Sequence, residues 1–299
     1  MIVYITRHGQ PLLQPADAAD PEFPRHDPPL TPLGEAQAIA LGRRLRALGF
    51  RGRIYTSPYR RTVRTAECIA AELDTVHYPE AAIREIVKRA EQMVGFQGLS
   101  LEALRAEFRR VAPDAALPYP WWTPQAEDDA AVLARVAPFL ERLLERRDGD
   151  VLLVGHGASV GAATRFFLER CTPVPEEMPL SWNCALTAFR VQETCETLLI
   201  RDTAHLPDEE VTSNAKTKLE VEGTPVAAGQ AVADDPGDAL GTQLQRHGGR
   251  DVRIVDVLQQ QVRRGLGAGE VRLGQVEIGF GQAHDHRVHH LPVLDAGQR

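Results

Sequence analysis

Ile2-Val3-Tyr4-Ile5-Thr6-Arg7-His8-Gly9 is an apolar, β-branched run that ends in a cation, an imidazole and a glycine. The first four residues suit a strand buried on both faces. Gly9-Gln10-Pro11 cannot continue it, so Arg7 and His8 fall on its carboxyl edge. In an open α/β sheet that edge is where ligands bind. A permanently charged, planar guanidinium beside an imidazole suits a phosphate group, and a neutral imidazole is a competent nucleophile. The same three letters recur at Arg246-His247-Gly248, where no apolar strand precedes and no helical pattern follows. That copy is read as a decoy.

Working outward, residues 11–29 are Pro-rich and aperiodic and read as a surface loop able to cover the strand edge. Thr31-Pro32 then opens a helix, with Thr31 as N-cap and Pro32 in the first helical position. Leu33, Ala36, Ala40, Leu41, Leu45 and Leu48 form its apolar stripe, and Gly49 ends it. Ile54-Tyr55-Thr56 reads as a second strand, leading through Ser57-Pro58 into a helix that carries Arg60, Arg61 and Arg64. A helix N-terminus at a sheet edge adds unpaired N–H groups to those guanidiniums, an anion-binding arrangement. Thr75-Val76-His77-Tyr78 suggests a third strand, with Ile83-Arg84-Glu85 at its edge, while residues 88–98 show no clear period. Residues 99–111 and 128–147 are helical in pattern, separated by the aromatic, Pro-stiffened loop 118–124. A strand over 150–154 turns at Gly155-His156-Gly157 into a helix running to about Arg170. Strands over 185–191 and 197–200, with a turn near Glu193, close the sheet. The fold class is therefore α/β, a three-layer α/β/α domain with a mostly parallel sheet.

Of 299 residues, 43% are apolar, which is enough for a packed globule. A net charge of −7 offers no general attraction to nucleic acid or to a membrane surface, so neither is an expected partner. There is no signal-peptide pattern and no run near the ~20 apolar residues of a membrane span. A cytoplasmic protein is expected. Cys68, Cys171, Cys184 and Cys195 form no CxxC pair, so four buried free thiols are expected rather than a zinc site or a disulfide framework. Beyond about Leu206, Phe280 is the only aromatic residue, and no Lys follows Lys218. Residues 217–299 are expected to be disordered or loosely structured, with strands over 252–258 and 271–278 as the alternative. The tail's His284-Asp285-His286 and His289-His290 have no framework to orient them and are read as solvated side chains, not a metal site.

Several motifs, in order, resemble those of the histidine phosphatase superfamily, also called phosphoglycerate-mutase-like, over residues 1–216. Arg7-His8-Gly9 is similar to the family's RHG signature, and residues 27–38, DPPLTPLGEAQA, to its D.PLT..G..QA segment. Residues 57–66, SPYRRTVRTA, resemble SP..RA..TA. Ile83-Arg84-Glu85 looks like LRE, and Val154-Gly155-His156-Gly157 like VSHG. Asp202-Thr203-Ala204-His205-Leu206 is similar to the family's last lines. Thr62 replaces the usual Ala, Gln10 the usual Glu, and the spacing from Glu85 to Gly95-Phe96-Gln97-Gly98 is longer than usual.

The resemblance implies a phosphate-monoester hydrolase that needs no metal or other cofactor and acts on a small phosphate ester. It implies His8 as nucleophile, Arg7, Arg61 and His156 as the phosphate cradle, and Glu85 as proton donor, with Glu91 as the alternative donor. Gln10, Arg64, Trp121 and Trp122 are possible substrate contacts. An ion pair is the competing role for Arg64, and core or lid packing for the two Trp. A phosphoglycerate-mutase-type phosphotransferase and an inactive phospho-ligand binding module are the alternative functions. Oligomeric state is left open.

Overall fold

The computed structural model describes residues 1–12, 26–213 and 216–222. The expectations for most of the Pro-rich loop, for the strand pair and histidines of the tail, and for the decoy at 246–248 lie outside the described residues.

Alternation along the first strand sets up the layers. In β1 (Ile2–Arg7), Val3 and Ile5 face one side and Tyr4 the other. β2 (Arg53–Thr56), β3 (His77–Pro79) and β4 (Val151–Gly155) run parallel to it. β5 (Leu186–Val191) is antiparallel to β1, and β6 (Cys195–Asp202) is antiparallel to β5. The order is β3-β2-β4-β1-β5-β6, so only β5 opposes the common direction. Val3, Ile5, Tyr55, Val151 and Leu153 pack on α4 (Asp129–Arg146) and α5 (Gly157–Leu168). Tyr4, Ile54, Leu152 and Val154 pack on α1 (Pro32–Ala47) and α2 (Arg60–Leu73). Each fully buried Leu or Ile in these layers stabilises the fold by roughly 1.5–3 kcal/mol relative to exposure. This is the three-layer α/β/α arrangement with a mostly parallel sheet.

α1 is bounded as its sequence dictates. The Thr31 side chain accepts from Gly34 N at 3.0 Å, and Pro32 occupies the first turn. Gly49 sits at φ +76°, Gly49 N donates to Arg46 O, and Phe50 N donates to Leu45 O, a Schellman closure in which Phe50 packs back among the same apolar residues as Leu45. The buried face differs from the expected stripe: it comprises Gly34, Gln37, Ala38, Leu41, Gly42 and Leu45, while Ala36 and Leu48 are exposed. Close approach to α2 is the reason, since a Cβ at Gly42 would lie 2.8 Å from Glu72 Cβ. Small residues, not the largest apolar ones, set that contact.

Two other expectations are corrected, and one stretch left open is assigned. α3 (Leu101–Glu107) stops short of 111, because Phe108 is extended and the chain then runs beside β3, with His77 N donating to Arg110 O and Ala112 N to His77 O. Residues 88–98 contain a single short 3-10 turn, Ala90–Met93. Of the four thiols, Cys68 and Cys184 are free and buried, but Cys171 and Cys195 form a disulfide. The chain leaving α5 lies along β6, with Thr172 N on Cys195 O and Thr197 N on Thr172 O, and this pairing brings the two cysteines together.

β7 (Thr212–Ser213) and β8 (Lys216–Thr217) form a small hairpin, followed by the short helix α6 (Lys218–Glu222). Val211 and Val221 pack with Trp182, Ala185 and Leu206, so the chain stays on the domain past 206. Among the described residues no helix is long and apolar enough to cross a membrane.

Candidate active site

The carboxyl ends of β1, β2 and β4 converge, and the turn after β1 has its main chain fully engaged. His8 N donates to Gly155 O at 3.0 Å, and Cys184 N donates to Arg7 O at 3.1 Å. Gly9 N donates to Thr65 Oγ1, Gln10 N to Gln37 Oε1, and Asn183 Nδ2 to His8 O. A Cβ on Gly9 would lie 2.3 Å from Gly34 O, so only glycine lets the turn and α1 approach this closely. The hairpin β7–β8 extends the support: Thr212 Oγ1 donates to Asn183 Oδ1 and accepts from Gln37 Nε2, and Arg7 Nη1 reaches Ser213 Oγ at 3.1 Å.

His8 is buried, and its Nδ1 lies 2.7 Å from Gly9 O. A carbonyl can only accept, so Nδ1 carries the hydrogen and Nε2 keeps its lone pair. Arg61 Nε points at that Nε2 from 3.4 Å. Burial, then the nearby charges of Arg61, His156 and Arg7, hold the His8 pKa well below its ordinary 6.5. The imidazole is therefore neutral near pH 7.

Arg61, on the first turn of α2, extends across the site. Its Nη2 is 3.0 Å from Glu85 Oε2, and its Nη1 donates to His26 O at 3.3 Å and lies 3.7 Å from Asp27 Oδ1. His156, the N-cap residue of α5, is fully buried, with Nε2 2.8 Å from Ser57 Oγ and Nδ1 3.1 Å from Glu85 Oε2. Burial lowers His156 to about 4, although Glu85 opposes the shift. Burial acts to raise Glu85, but His156 and Arg61 outweigh it and hold its carboxyl well below the ordinary range. Arg7, also buried, donates from Nη1 to Ser181 O at 2.7 Å.

Arg7, His8, Arg61, Glu85 and His156 are thus linked in one site. Glu91 lies exposed in the 3-10 turn Ala90–Met93. Gln10 accepts from Thr31 Oγ1 at 2.8 Å, at the start of α1. Arg64 makes a two-pronged ion pair with Glu35, at 2.8 and 3.1 Å, across the α1–α2 contact. Arg60 turns outward to Glu107. Trp121 is buried, donates from Nε1 to Leu99 O, and packs edge-on to Tyr59 and Phe96. Trp122 flanks it, partly exposed. Both belong to an aromatic cluster that touches the site through Tyr59, whose ring lies 5.1 Å from that of His156.

Sequence reasoning did not single out Ser57, Asn183 or Asp27. Ser57 holds the His156 ring and Asn183 the main chain of His8, through hydrogen bonds that span 99 and 175 residues. Asp27 is buried, accepts from Arg60 N at 2.7 Å and so caps α2 from outside the helix. Burial pushes its pKa up to about 7, against the pull of Arg61.

His8, Glu85 and His156 present three ligand atoms within 4.8 Å of one another, a set that a divalent cation can use. The surrounding charge argues otherwise. Arg61 already lies against the same Glu85 oxygen, and the charge of Arg7, buried at the same strand end, acts on both His8 and His156, so two fixed cations bear on the space. Such a field suits an anion with several oxygens.

The family model of the histidine phosphatase superfamily (branch 1) matches residues 3–202. Two curated relatives are each named probable phosphoglycerate mutase GpmB. That of Klebsiella pneumoniae subsp. pneumoniae is 29% identical over 195 residues, covering 64% of this chain and 86% of the relative. That of Cronobacter sakazakii is 28% identical with the same coverage. Among solved structures, the ecdysone phosphate phosphatase of Bombix mori, in complex with tungstate, covers 74% of this chain and 99% of its own at 18% identity, with a TM-score of 0.52. That likeness bears on the fold. The family match spans β1 to the end of β6 and takes in all five residues gathered at the strand ends; the chain belongs to the histidine phosphatase superfamily, branch 1, a family of phosphatases and mutases.

Proposed function

We propose that this enzyme is a metal-independent phosphatase that hydrolyses a small phosphate monoester through a phosphohistidine on His8. The observation that carries the reading is the neutral His8, its Nε2 lone pair directed at Arg61 beside Glu85 and His156. In the free protein the Glu85 carboxylate takes up Arg61 Nη2 and sits against His156 Nδ1, two groups a phosphoryl oxygen would use. An incoming phosphate displaces it, and the added negative charge raises its affinity for a proton. Glu85 then serves as acid, although ionised at rest.

Nε2 of His8 attacks phosphorus, the bond from phosphorus to the leaving oxygen breaks, and that oxygen takes the proton from Glu85. Arg7, Arg61 and His156 hold the remaining phosphoryl oxygens, with their dipoles and charges fixed beforehand. In the second step Glu85 takes a proton from water, the water oxygen bonds to phosphorus, and the N–P bond breaks to release phosphate and neutral His8. That a phosphatase of similar fold was solved in complex with tungstate, a tetrahedral oxyanion, is in keeping with a small phosphate ester as substrate.

Phosphotransfer of the phosphoglycerate-mutase type is the second reading, favoured by the names of the curated relatives. The two separate in chelator with phosphoglycerate and a trace of bisphosphoglycerate. Release of free phosphate is expected; isomer formation without phosphate release would overturn the hydrolase. An idle binding module would give neither.

The pH profile provides a further check. His8 must be unprotonated, so kcat/KM falls as pH drops through its free-enzyme pKa, which is lowered. The acid limb therefore lies well below 6.5. The reactive complex also needs one proton shared between Glu85 and a phosphate whose second pKa is about 6, so kcat/KM declines above about pH 6. An acid limb centred at 6.5, the ordinary histidine value, would contradict the neutral buried nucleophile.

A further inference from the structure

Glu85 lies in an irregular segment between the 3-10 turn Ala81–Ile83 and residue 90, outside any strand or helix. Its placement against His156 and Arg61 must come from elsewhere. Glu80 N donates to Thr56 O at the end of β2, and Glu127 N donates to Val87 O at 2.7 Å, so the segment is tied at both ends. Between these ties stands Arg135, from the first two turns of α4. Its Nη1 donates to Ala82 O at 2.5 Å, and its Nη2 donates to Arg84 O at 2.9 Å and to Glu85 O at 3.4 Å. Its Nε pairs with Glu127 Oε1 at 2.8 Å, the oxygen that also holds Arg84 Nη2 at 2.7 Å.

We propose that Arg135 is a positioning residue for the proton donor: its guanidinium fork, braced by Glu127, grips the carbonyls of residues 82, 84 and 85 and sets where the Glu85 carboxylate stands. This rests on Glu85 being the acid. Three features support it beyond simple anchoring. The side chains of Arg84, Glu127 and Arg135 are each no more than 14% exposed. A largely buried ionic set of that kind is costly to assemble, and its best-attested use is to fix register. The planar fork spans several acceptors at once, which a Lys ammonium on a flexible stem cannot. Finally, α4 packs its Val132, Val136 and Leu140 in the same core as Phe166 and Phe167 of α5, and His156 is the N-cap residue of α5. One rigid layer therefore carries both His156 and the clamp on Glu85, so the 3.1 Å separation between them is set within a single packed unit.

A positioning role for the acid differs from general support in its dependence on the leaving group. An alkoxide needs a proton as it departs; p-nitrophenolate does not. The test compares kcat/KM, which reports the steps through transfer to His8, for β-glycerophosphate and p-nitrophenyl phosphate in Arg135→Lys, Arg135→Met and Glu127→Gln. Displacement of a catalytic group by an ångström costs on the order of 10²-fold. A fall of about 10- to 100-fold is expected for β-glycerophosphate, with p-nitrophenyl phosphate changed less than about threefold and Arg135→Met affected more than Arg135→Lys. Glu127→Gln leaves the fork in place without its charged brace and shows the same bias in smaller measure if the Arg135 variants fail to fold. Equal losses on both esters, or no loss on either, would overturn the inference. Glu85→Gln run alongside separates the two levels: if it too loses both esters equally, the assignment of the acid fails, and the clamp fails with it; if it shows the bias and the Arg135 and Glu127 variants do not, the clamp alone is wrong.

Discussion

His8→Ala is expected to abolish measurable turnover of every phosphate ester, with a loss in kcat on the order of 10⁶-fold, the scale seen when a covalent nucleophile is removed. The loss is confined to chemistry. Arg7, Arg61 and His156 stay in place, because none depends on the His8 side chain for its other contacts: Arg7 on Ser181 and Ser213, Arg61 on Glu85 and His26, His156 on Ser57. Tungstate or phosphate should therefore still bind as a competitive ligand, measured by calorimetry, within a few-fold of the parent affinity. The fold gives up two buried hydrogen bonds, the one to Gly9 O and the longer one from Arg61 Nε, a cost of about 1–3 kcal/mol. Undiminished hydrolysis in this variant would remove His8 from the mechanism, and loss of oxyanion binding along with turnover would show that the substitution had damaged the cradle.

Arg61→Met is the second large effect. One guanidinium contacts Glu85, approaches Asp27, donates to His26 O and points Nε at the nucleophile. Its removal takes away a preorganised positive charge worth on the order of 10²–10³-fold in rate. The pH profile moves as well. Arg61 is the first of the charges that lower His8 after burial, so without it the His8 pKa rises toward 6.5 and the acid limb of kcat/KM shifts upward. It also lowers Glu85 and opposes the rise of Asp27; both carboxyls therefore hold their protons to higher pH in the variant. A rate loss with an unmoved acid limb would mean that Arg61 acts on substrate alone and not on the nucleophile.

The strand ends and turns that carry this site could be read from local chemistry, and the roles of its side chains from the order of motifs that resemble the family's. The apolar run before Arg7, the Thr31-Pro32 start and Gly49 stop of α1, and the small residues that turn β4 into α5 at His156 are all decided by neighbours in sequence. What escaped reading is decided by partners far along the chain. The register between Arg61 and Arg64 cannot reveal that Glu35 on another helix takes Arg64. The aromatic, Pro-rich loop suggests packing for Trp121 but not its partners, Gly98 and Leu99: a Cβ at Gly98 would lie 2.1 Å from the indole. Cys171 and Cys195 meet because the chain after α5 pairs along β6, an event with no signature in their spacing. Asn183 and Thr212 reach His8 through side-chain hydrogen bonds across 175 and 29 residues, the second from beyond the family match. Long-range polar contacts of this kind leave no periodicity to detect.

The most direct measurement is of the phosphoenzyme. A single turnover with excess enzyme, quenched in base where a phosphoramidate survives, should leave one phosphoryl group on the peptide containing His8, appearing before free phosphate and decaying as phosphate is released. Phosphate release without any such adduct, or an adduct on His156 or on a carboxylate instead, would contradict His8 as the nucleophile.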